Sequence, residues 1–230
     1  MRIAVCISGQ PRAYDKAYEY LKRNLLDEHE VDVFFHTWEN NVYDTKDVVD
    51  IYKPKSYNVT KSLQKEFADR FSNIASTSYP AISTVSSYYS LFQASKLRID
   101  YETEHGPYDF VVKTRFDYAL NGKLPFEQLE KDRLYIPDCR MVPTRDFGND
   151  QFAFGSSIVM TEYMNTYLYL NTFYEMGIVM NGEDMMRANL HRSGLINERL
   201  IYVNMNNPFP PGLYNGTPHS LIRDDMDKWK

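Results

Sequence analysis

The stretch RIAVCIS, residues 2–8, decides the fold. It is short, almost continuously apolar and rich in β-branched side chains, and Gly9 closes it, which is typical of a buried strand in a parallel sheet. A helix is predicted next, because one helical face carries Tyr14, Ala17, Tyr18, Leu21 and Leu25. Val31–Phe35 is then a second apolar strand. Strand, helix and strand in this order predict a βαβ unit with a right-handed crossover.

The remainder of the chain continues this alternation. The clearest helix has its predicted apolar stripe at Ile82, Val85, Tyr89, Phe92, Lys96 and Ile99. The stripe therefore includes a lysine, whose alkyl stem can cover the core. Further helices are predicted over Leu63–Arg70, Thr161–Glu175 and Glu183–Arg192. Further strands are predicted at Tyr57–Val59, Tyr108–Thr114, Arg133–Pro137, Phe152–Phe154 and Leu200–Val203.

These elements predict an α/β fold in a single domain, in which a mostly parallel central sheet is flanked by helices. The domain is expected to span residues 1–205. Residues 206–230 are predicted to form a Pro/Gly-rich tail, because residues 206–218 contain four of the 11 prolines.

Composition excludes several classes of protein. The 230 residues are 43% hydrophobic and 25% charged, which suits one globular core. The net charge of −5 is spread along the chain, so neither nucleic acid nor an anionic membrane is an expected partner. No apolar run approaches the roughly 20 residues that span a bilayer, and no signal-peptide pattern opens the chain. Cys6 and Cys139 form neither a disulfide framework nor a metal knuckle, which suits a cytoplasmic protein.

Polar residues follow three of the predicted strands. They are Ser8–Arg12 after the first strand, His36 after the second, and Arg115–Asp117 after the strand at Tyr108–Thr114. Mostly parallel sheets bind ligands at such strand ends. Arginine matches phosphate oxygens and aspartate ligates hard cations, so the pattern predicts a diphosphate with a bound cation. The glycine-rich fingerprints of NAD enzymes and P-loop kinases are absent from the sequence, as are HExxH and G-x-S-x-G.

Five segments carry a family resemblance, and they occur in the order ISGQPR (7–12), FFHTW (34–38), SSYYSLFQASK (86–96), YDFVVKTRFD (108–117) and NDQFAFGSS (149–157). In this order they resemble small GT-A-type nucleotide-sugar glycosyltransferases found in bacterial surface-polysaccharide loci and large DNA viruses. The resemblance spans roughly residues 2–192. It implies a GT-A-like fold and a nucleoside-diphosphate sugar, such as a UDP-sugar, as the donor.

The resemblance also implies a donor site. Its expected members are Ser8, Gly9, Gln10, Arg12, His36, Ser87, Gln93, Lys96, Arg115 and Asp117. In the GT-A fold an acidic D-x-D triplet holds Mn²⁺ or Mg²⁺ against the diphosphate, and the corresponding triplet here is Arg115-Phe116-Asp117. Asp117 is therefore the expected metal ligand, and Arg115 is expected to neutralise part of the diphosphate charge. A salt bridge between these two residues is the alternative interpretation.

An acidic base is the second implication of the resemblance, because inverting GT-A enzymes place one at a helix start downstream of the metal motif. Glu183 and Asp184 occupy such a start, and Asp150 is the competing candidate. The alternative interpretation is that the two acids cap their helix, with Asn181 or Gly182 as its N-cap.

The expected function is transfer of a sugar from a nucleoside-diphosphate donor to a hydroxyl of a glycan acceptor in polysaccharide biosynthesis, metal-assisted and with inversion. A sugar-phosphate nucleotidyltransferase is an alternative, although it normally has a more basic, glycine-rich first loop. A non-catalytic carbohydrate-binding module is the other alternative, because the 19 Tyr, 13 Phe and 2 Trp could stack on sugars.

Overall fold

A computed structural model of the chain describes residues 1–40, 42–63, 71, 80–137 and 150–203. Its central sheet runs in the order β3-β2-β1-β4-β6-β5-β7. The strands are β1 (Ile3–Ser8), β2 (Val31–Trp38), β3 (Ser56–Thr60), β4 (Phe110–Arg115), β5 (Leu134–Pro137), β6 (Ala153–Gly155) and β7 (Leu200–Val203). Only β6 runs antiparallel to its neighbours, so the predicted, mostly parallel sheet is confirmed.

The α-helices of the described residues flank this sheet. They are α1 (Tyr14–Leu21), α2 (Thr45–Tyr52), α3 (Ala81–His105), α4 (Ser157–Met164), α5 (Leu170–Glu175), α6 (Gly182–Arg192) and α7 (Leu195–Glu198). The helix predicted over Thr161–Glu175 is in fact α4 and α5, joined by a 3₁₀ segment at Asn165–Tyr169. Helix α2 was not predicted. It begins where the side chain of Asp44 accepts a hydrogen bond from the Lys46 amide. The helix predicted over Leu63–Arg70 lies outside the described residues, apart from Leu63 itself.

Apolar side chains fill both faces of the sheet and form a single domain of three layers. Strand β1 is buried along its whole length, as its sequence predicts. Alternate residues of β1 point to opposite layers, so Ala4 and Cys6 join the core under α3 to α6, whereas Val5 and Ile7 join the core under α1 and α2.

The prediction that Lys96 lies in the apolar stripe of α3 is wrong, because Lys96 is exposed. The buried cation of this helix is Arg98, which has no exposed surface. Its guanidinium pairs with Glu102 at 2.6 Å and donates to the hydroxyls of Ser157 and Thr161 at 2.6 and 2.7 Å. Burial of a charge is tolerated when it is paired and hydrogen-bonded, so Arg98 fastens α3 to α4.

Three further predictions concern the cysteines, the tail at 206–230 and membrane-spanning segments. Cys6 is a free, buried thiol, whereas Cys139 and the tail at 206–230 lie outside the described residues. Among the helices that the structure describes, none combines the length and apolar character needed to cross a membrane.

Candidate functional site

The carboxyl ends of β2, β1 and β4 lie side by side. In the sheet register Ser8 pairs with His36 on one side and with Arg115 on the other. The three predicted strand ends are therefore neighbours, because parallel strands present their carboxyl ends at one edge of the sheet.

The loop after β1 presents backbone donors and a cation at this edge. Gly9 has a φ of 109°, which a residue with a side chain rarely adopts, and its amide donates to the Ser90 hydroxyl at 2.8 Å. Helix α1 begins after Ala13 without a side-chain cap, and its amino end lies beside this loop. Arg12 is exposed, and Gln10 Oε1 accepts from its Nε and Nη2 at 3.1 and 2.8 Å. This arrangement suits an anion.

His36 positions the same loop and does not reach the surface, which corrects the prediction that it contacts the donor. It has no exposed surface, and both ring nitrogens are bonded within the protein. The Ser90 hydroxyl lies 3.2 Å from the His36 carbonyl, to which it can donate, and 2.8 Å from Nδ1. Nε2 lies 3.0 Å from the Thr60 hydroxyl. Burial lowers the pKa of His36 to about 4, so the ring is neutral at pH 7.

Acid should destabilise the protein through His36. An unfolded histidine has a pKa near 6.5. The stabilisation that the neutral ring contributes to the free energy of unfolding is therefore complete above about pH 6.5, and it is lost as the pH falls towards 4. Between pH 7 and 4.5 the free energy of unfolding should fall by about 2 to 3 kcal/mol more in the wild type than in His36→Gln. Urea unfolding at both pH values measures this difference. Exposed His191, changed to glutamine, is the control, and an equal acid loss in all three proteins would contradict the assignment.

Arg115 and Asp117 form a closed ion pair at the end of β4. Nε and Nη2 of Arg115 donate to the two carboxylate oxygens of Asp117 at 2.7 and 2.8 Å. Asp117 is 2% exposed, so its carboxylate is shielded from water and is bonded to the Arg115 guanidinium. Both oxygens already face a cation, and no group of three His, Cys, Asp or Glu side chains suited to a metal ion occurs in the described part of the chain. These residues do not fit the metal site predicted at Asp117.

Lys113 is a further cation of β4, and its role escaped the sequence analysis. It is 3% exposed, and its ammonium donates to the carbonyl oxygens of Asp150 and Gln151. The carboxylate of Asp150 reaches the start of α6, where a side chain on Gly182 would overlap it. Among the described residues that carboxylate has no hydrogen-bond donor. Lys113 thus brings the Asp150 segment against the strand that carries Arg115.

The two acids at the start of α6 differ in their surroundings. Asp184 belongs to the helix cap: its amide donates to Asn181 Oδ1 at 2.7 Å, and its carboxylate accepts from Asn181 Nδ2 and Arg187 at 2.8 and 3.0 Å. The capping interpretation of Asp184 is therefore the one that the geometry supports. Partial burial raises the pKa of Glu183, and the Asp150 and Asp184 carboxylates add to that effect. Glu183 remains a candidate base.

Helix α3 contributes residues other than the predicted ones. Ser87 and Lys96 are exposed and Gln93 is half-buried, and their donor-binding roles stay predictions. Ser90 instead reaches the loop after β1, and Tyr88 donates to the Gly182 carbonyl at 2.5 Å. A polar cavity of about 650 Å³ lies further along the same edge, after β2 and β3, and is lined by Glu39, Asn40, Tyr43, Asp44, Thr45, Lys61 and Ser62. It contains none of the predicted site residues.

No protein-family model and no curated protein matches the sequence. Solved structures do match the fold. An active-site mutant of LgtC has 11% sequence identity and a TM-score of 0.53, with 90% of this chain and 74% of that chain covered. The galactosyltransferase LgtC in complex with donor and acceptor sugar analogs has 12% identity and a TM-score of 0.50 over the same shares. The chain has a GT-A-like fold. The fold class predicted from the sequence is thereby confirmed.

Proposed function

We propose that the protein is a glycosyltransferase that moves a sugar from a nucleoside-diphosphate donor to a hydroxyl of a glycan acceptor. The observation that carries this proposal is the pairing of Ser8 with Arg115 at the carboxyl edge of a GT-A-like sheet. It puts the loop with Arg12 and the amino end of α1 next to a second guanidinium. Backbone donors and arginine forks together suit a diphosphate.

The departing diphosphate carries most of the negative charge that develops during transfer. Arg12 and the amino end of α1 are positioned to neutralise it, and the Arg115 guanidinium, although paired with Asp117, is 31% exposed at the same edge. Fixed cations of this kind act without reorganising during the reaction. We therefore propose donor binding without a requirement for Mn²⁺ or Mg²⁺.

Activation of the acceptor hydroxyl is assigned to Asp150. Its carboxylate has no hydrogen-bond donor among the described residues, whereas the carboxylate of Asp184 is held by Asn181 and Arg187. A base must be ionised and within hydrogen-bonding reach of the proton it takes. Base-assisted attack by the acceptor, opposite to the departing diphosphate, gives inversion at the anomeric carbon.

The donor can be tested with UDP-, GDP- and dTDP-sugars, each with EDTA or with Mn²⁺, by thermal shift and calorimetry. One nucleoside diphosphate should bind equally well in both conditions. Arg12→Ala should weaken its binding about tenfold, because a charge-assisted hydrogen bond is lost. Arg23→Ala is the matched control, since Arg23 is an exposed arginine on the π-helical turn that follows α1.

Other results would redirect the assignment. Binding of glycans without any nucleotide affinity would identify a carbohydrate-binding module. Release of pyrophosphate from a nucleoside triphosphate and a sugar phosphate would identify a nucleotidyltransferase. Affinity that survives in Arg12→Ala would remove the loop after β1 from the donor site.

A further inference from the structure

Lys113 lies where a lysine is costly. It is a strand residue of β4, its neighbours Val111 and Val112 have no exposed surface, and its own side chain is 3% exposed. A buried ammonium loses its hydration and persists only when the fold supplies acceptors in return. Lys113 has two, the carbonyl oxygens of Asp150 and Gln151, the latter at 2.9 Å. Both belong to the two residues that lead towards β6.

Asp150 is confined from the other side by the start of α6. A Cβ atom on Gly182 would overlap the Asp150 carboxylate, so only glycine allows this approach. Gly182 is in turn held by Tyr88 of α3, whose hydroxyl donates to its carbonyl at 2.5 Å. Asp150 thus lies between a lysine that holds its backbone and a helix start that leaves room for its side chain.

From this geometry we infer that Lys113 is a positioning residue that holds the Asp150 carboxylate at the start of α6, where it faces the acceptor hydroxyl. The inference rests on the proposed function, in which Asp150 is the base. Lys113 acts through the backbone of Asp150, so it should govern turnover and not donor affinity. A base that is displaced by about 1 Å can lose roughly a hundredfold in rate.

The charge of this lysine depends on pH within the physiological range. Burial, with a smaller effect of the Arg115 charge, lowers the pKa of Lys113 to about 7, although the Asp150 and Asp117 carboxylates oppose the shift. We call the hydrogen bonds from charged Lys113 to the two carbonyl oxygens the clamp. The clamp is therefore present below about pH 7 and weakens as the pH rises through that value. Other titratable groups face Asp150 from α3, α4 and α6, namely Tyr88, Tyr163 and Glu183.

Kinetics of Lys113→Met and Gly182→Ala test the inference. Both variants should lower kcat by roughly one to two powers of ten, while the donor Kd stays within about twofold. The alkaline fall in kcat near pH 7 should be absent from Lys113→Met and retained by Gly182→Ala. Exposed Lys123, changed to methionine, is the control. A donor Kd that rises as far as kcat falls would show that Lys113 touches the donor, and unchanged kcat in Gly182→Ala would also overturn the inference.

A second measurement does not depend on sugar transfer. In protein labelled with ¹³C-lysine, the Cε resonance that Lys113→Met removes should titrate near pH 7 in the wild type. Asp150→Asn should lower that midpoint, because it removes the nearest opposing charge. A midpoint above about 10, the ordinary range of lysine, would overturn the clamp even if the protein proved to have another activity. If Lys113→Met fails to fold, the lysine Cε resonance whose midpoint shifts in Asp150→Asn identifies Lys113 in its place.

Discussion

Replacing Asp150 by asparagine should reduce turnover by roughly two to four powers of ten and leave the donor Kd nearly unchanged. Asparagine keeps the size of the side chain and the backbone carbonyl that Lys113 holds, so the change removes the proton acceptor and its negative charge without removing the side chain. The carboxylate lies at the start of α6, and among the described residues no hydrogen-bond donor occupies it. Single-turnover rates with a saturating donor and acceptor, together with calorimetry of the donor, measure the two quantities.

Glu183→Gln and Asp184→Asn are the matched controls for this result. Asp184→Asn should change stability by less than about 1 kcal/mol and turnover little, because that carboxylate only accepts from Arg187 and from Asn181 Nδ2 at the helix cap. Glu183 is the competitor, since its raised pKa brings it closer to neutral pH. If Glu183→Gln alone abolishes turnover, Glu183 is the base and Asp150 only shapes the start of α6.

The layers of the fold could be predicted from the sequence because each central strand is a short apolar run that can be recognised without its neighbours. The run IAVCIS has to be buried on both faces, and it forms β1 within one residue of the predicted bounds. Helix α2 was missed, because its eight residues follow a stretch of weak periodicity and begin at a single cap on Asp44. The predicted apolar stripe of α3 lay to one side of the face that is actually buried. The prediction therefore put Lys96 in the core, whereas Arg98 is the buried cation.

Only the site residues that directly follow a predicted strand could be placed from the sequence. Ser8 and Arg115 were expected at one edge, and the register confirms that they are neighbours. The roles of Ser90 and Lys113 depend on partners 81 and 37 residues away, which spacing does not reveal. One signal was available: Lys113 is the only charged residue in the run FVVKT, and a charge in an otherwise apolar strand needs a partner.

Loss of Arg115 should be the most destabilising single change at this edge of the sheet. Arg115→Ala removes the hydrogen-bond donors of the Asp117 carboxylate, which is 2% exposed in the wild type and has no other donor among the described residues. Removing one partner of a buried pair costs about 3–5 kcal/mol, which urea unfolding would measure. Arg133→Ala is the matched control, because its partner Glu130 is largely exposed and such pairs contribute at most about 1 kcal/mol.

The reverse change separates an ion pair from a metal site at Asp117. Asp117→Ala should cost less than Arg115→Ala, since the arginine side chain is 31% exposed and can turn to water. The double variant should be no less stable than Asp117→Ala alone, because no uncompensated charge then remains buried. Mn²⁺ should leave the Tm of the wild type with bound donor unchanged. A Tm that rises with Mn²⁺ in the wild type and not in Asp117→Ala would make Asp117 a metal ligand and would contradict the closed pair with Arg115.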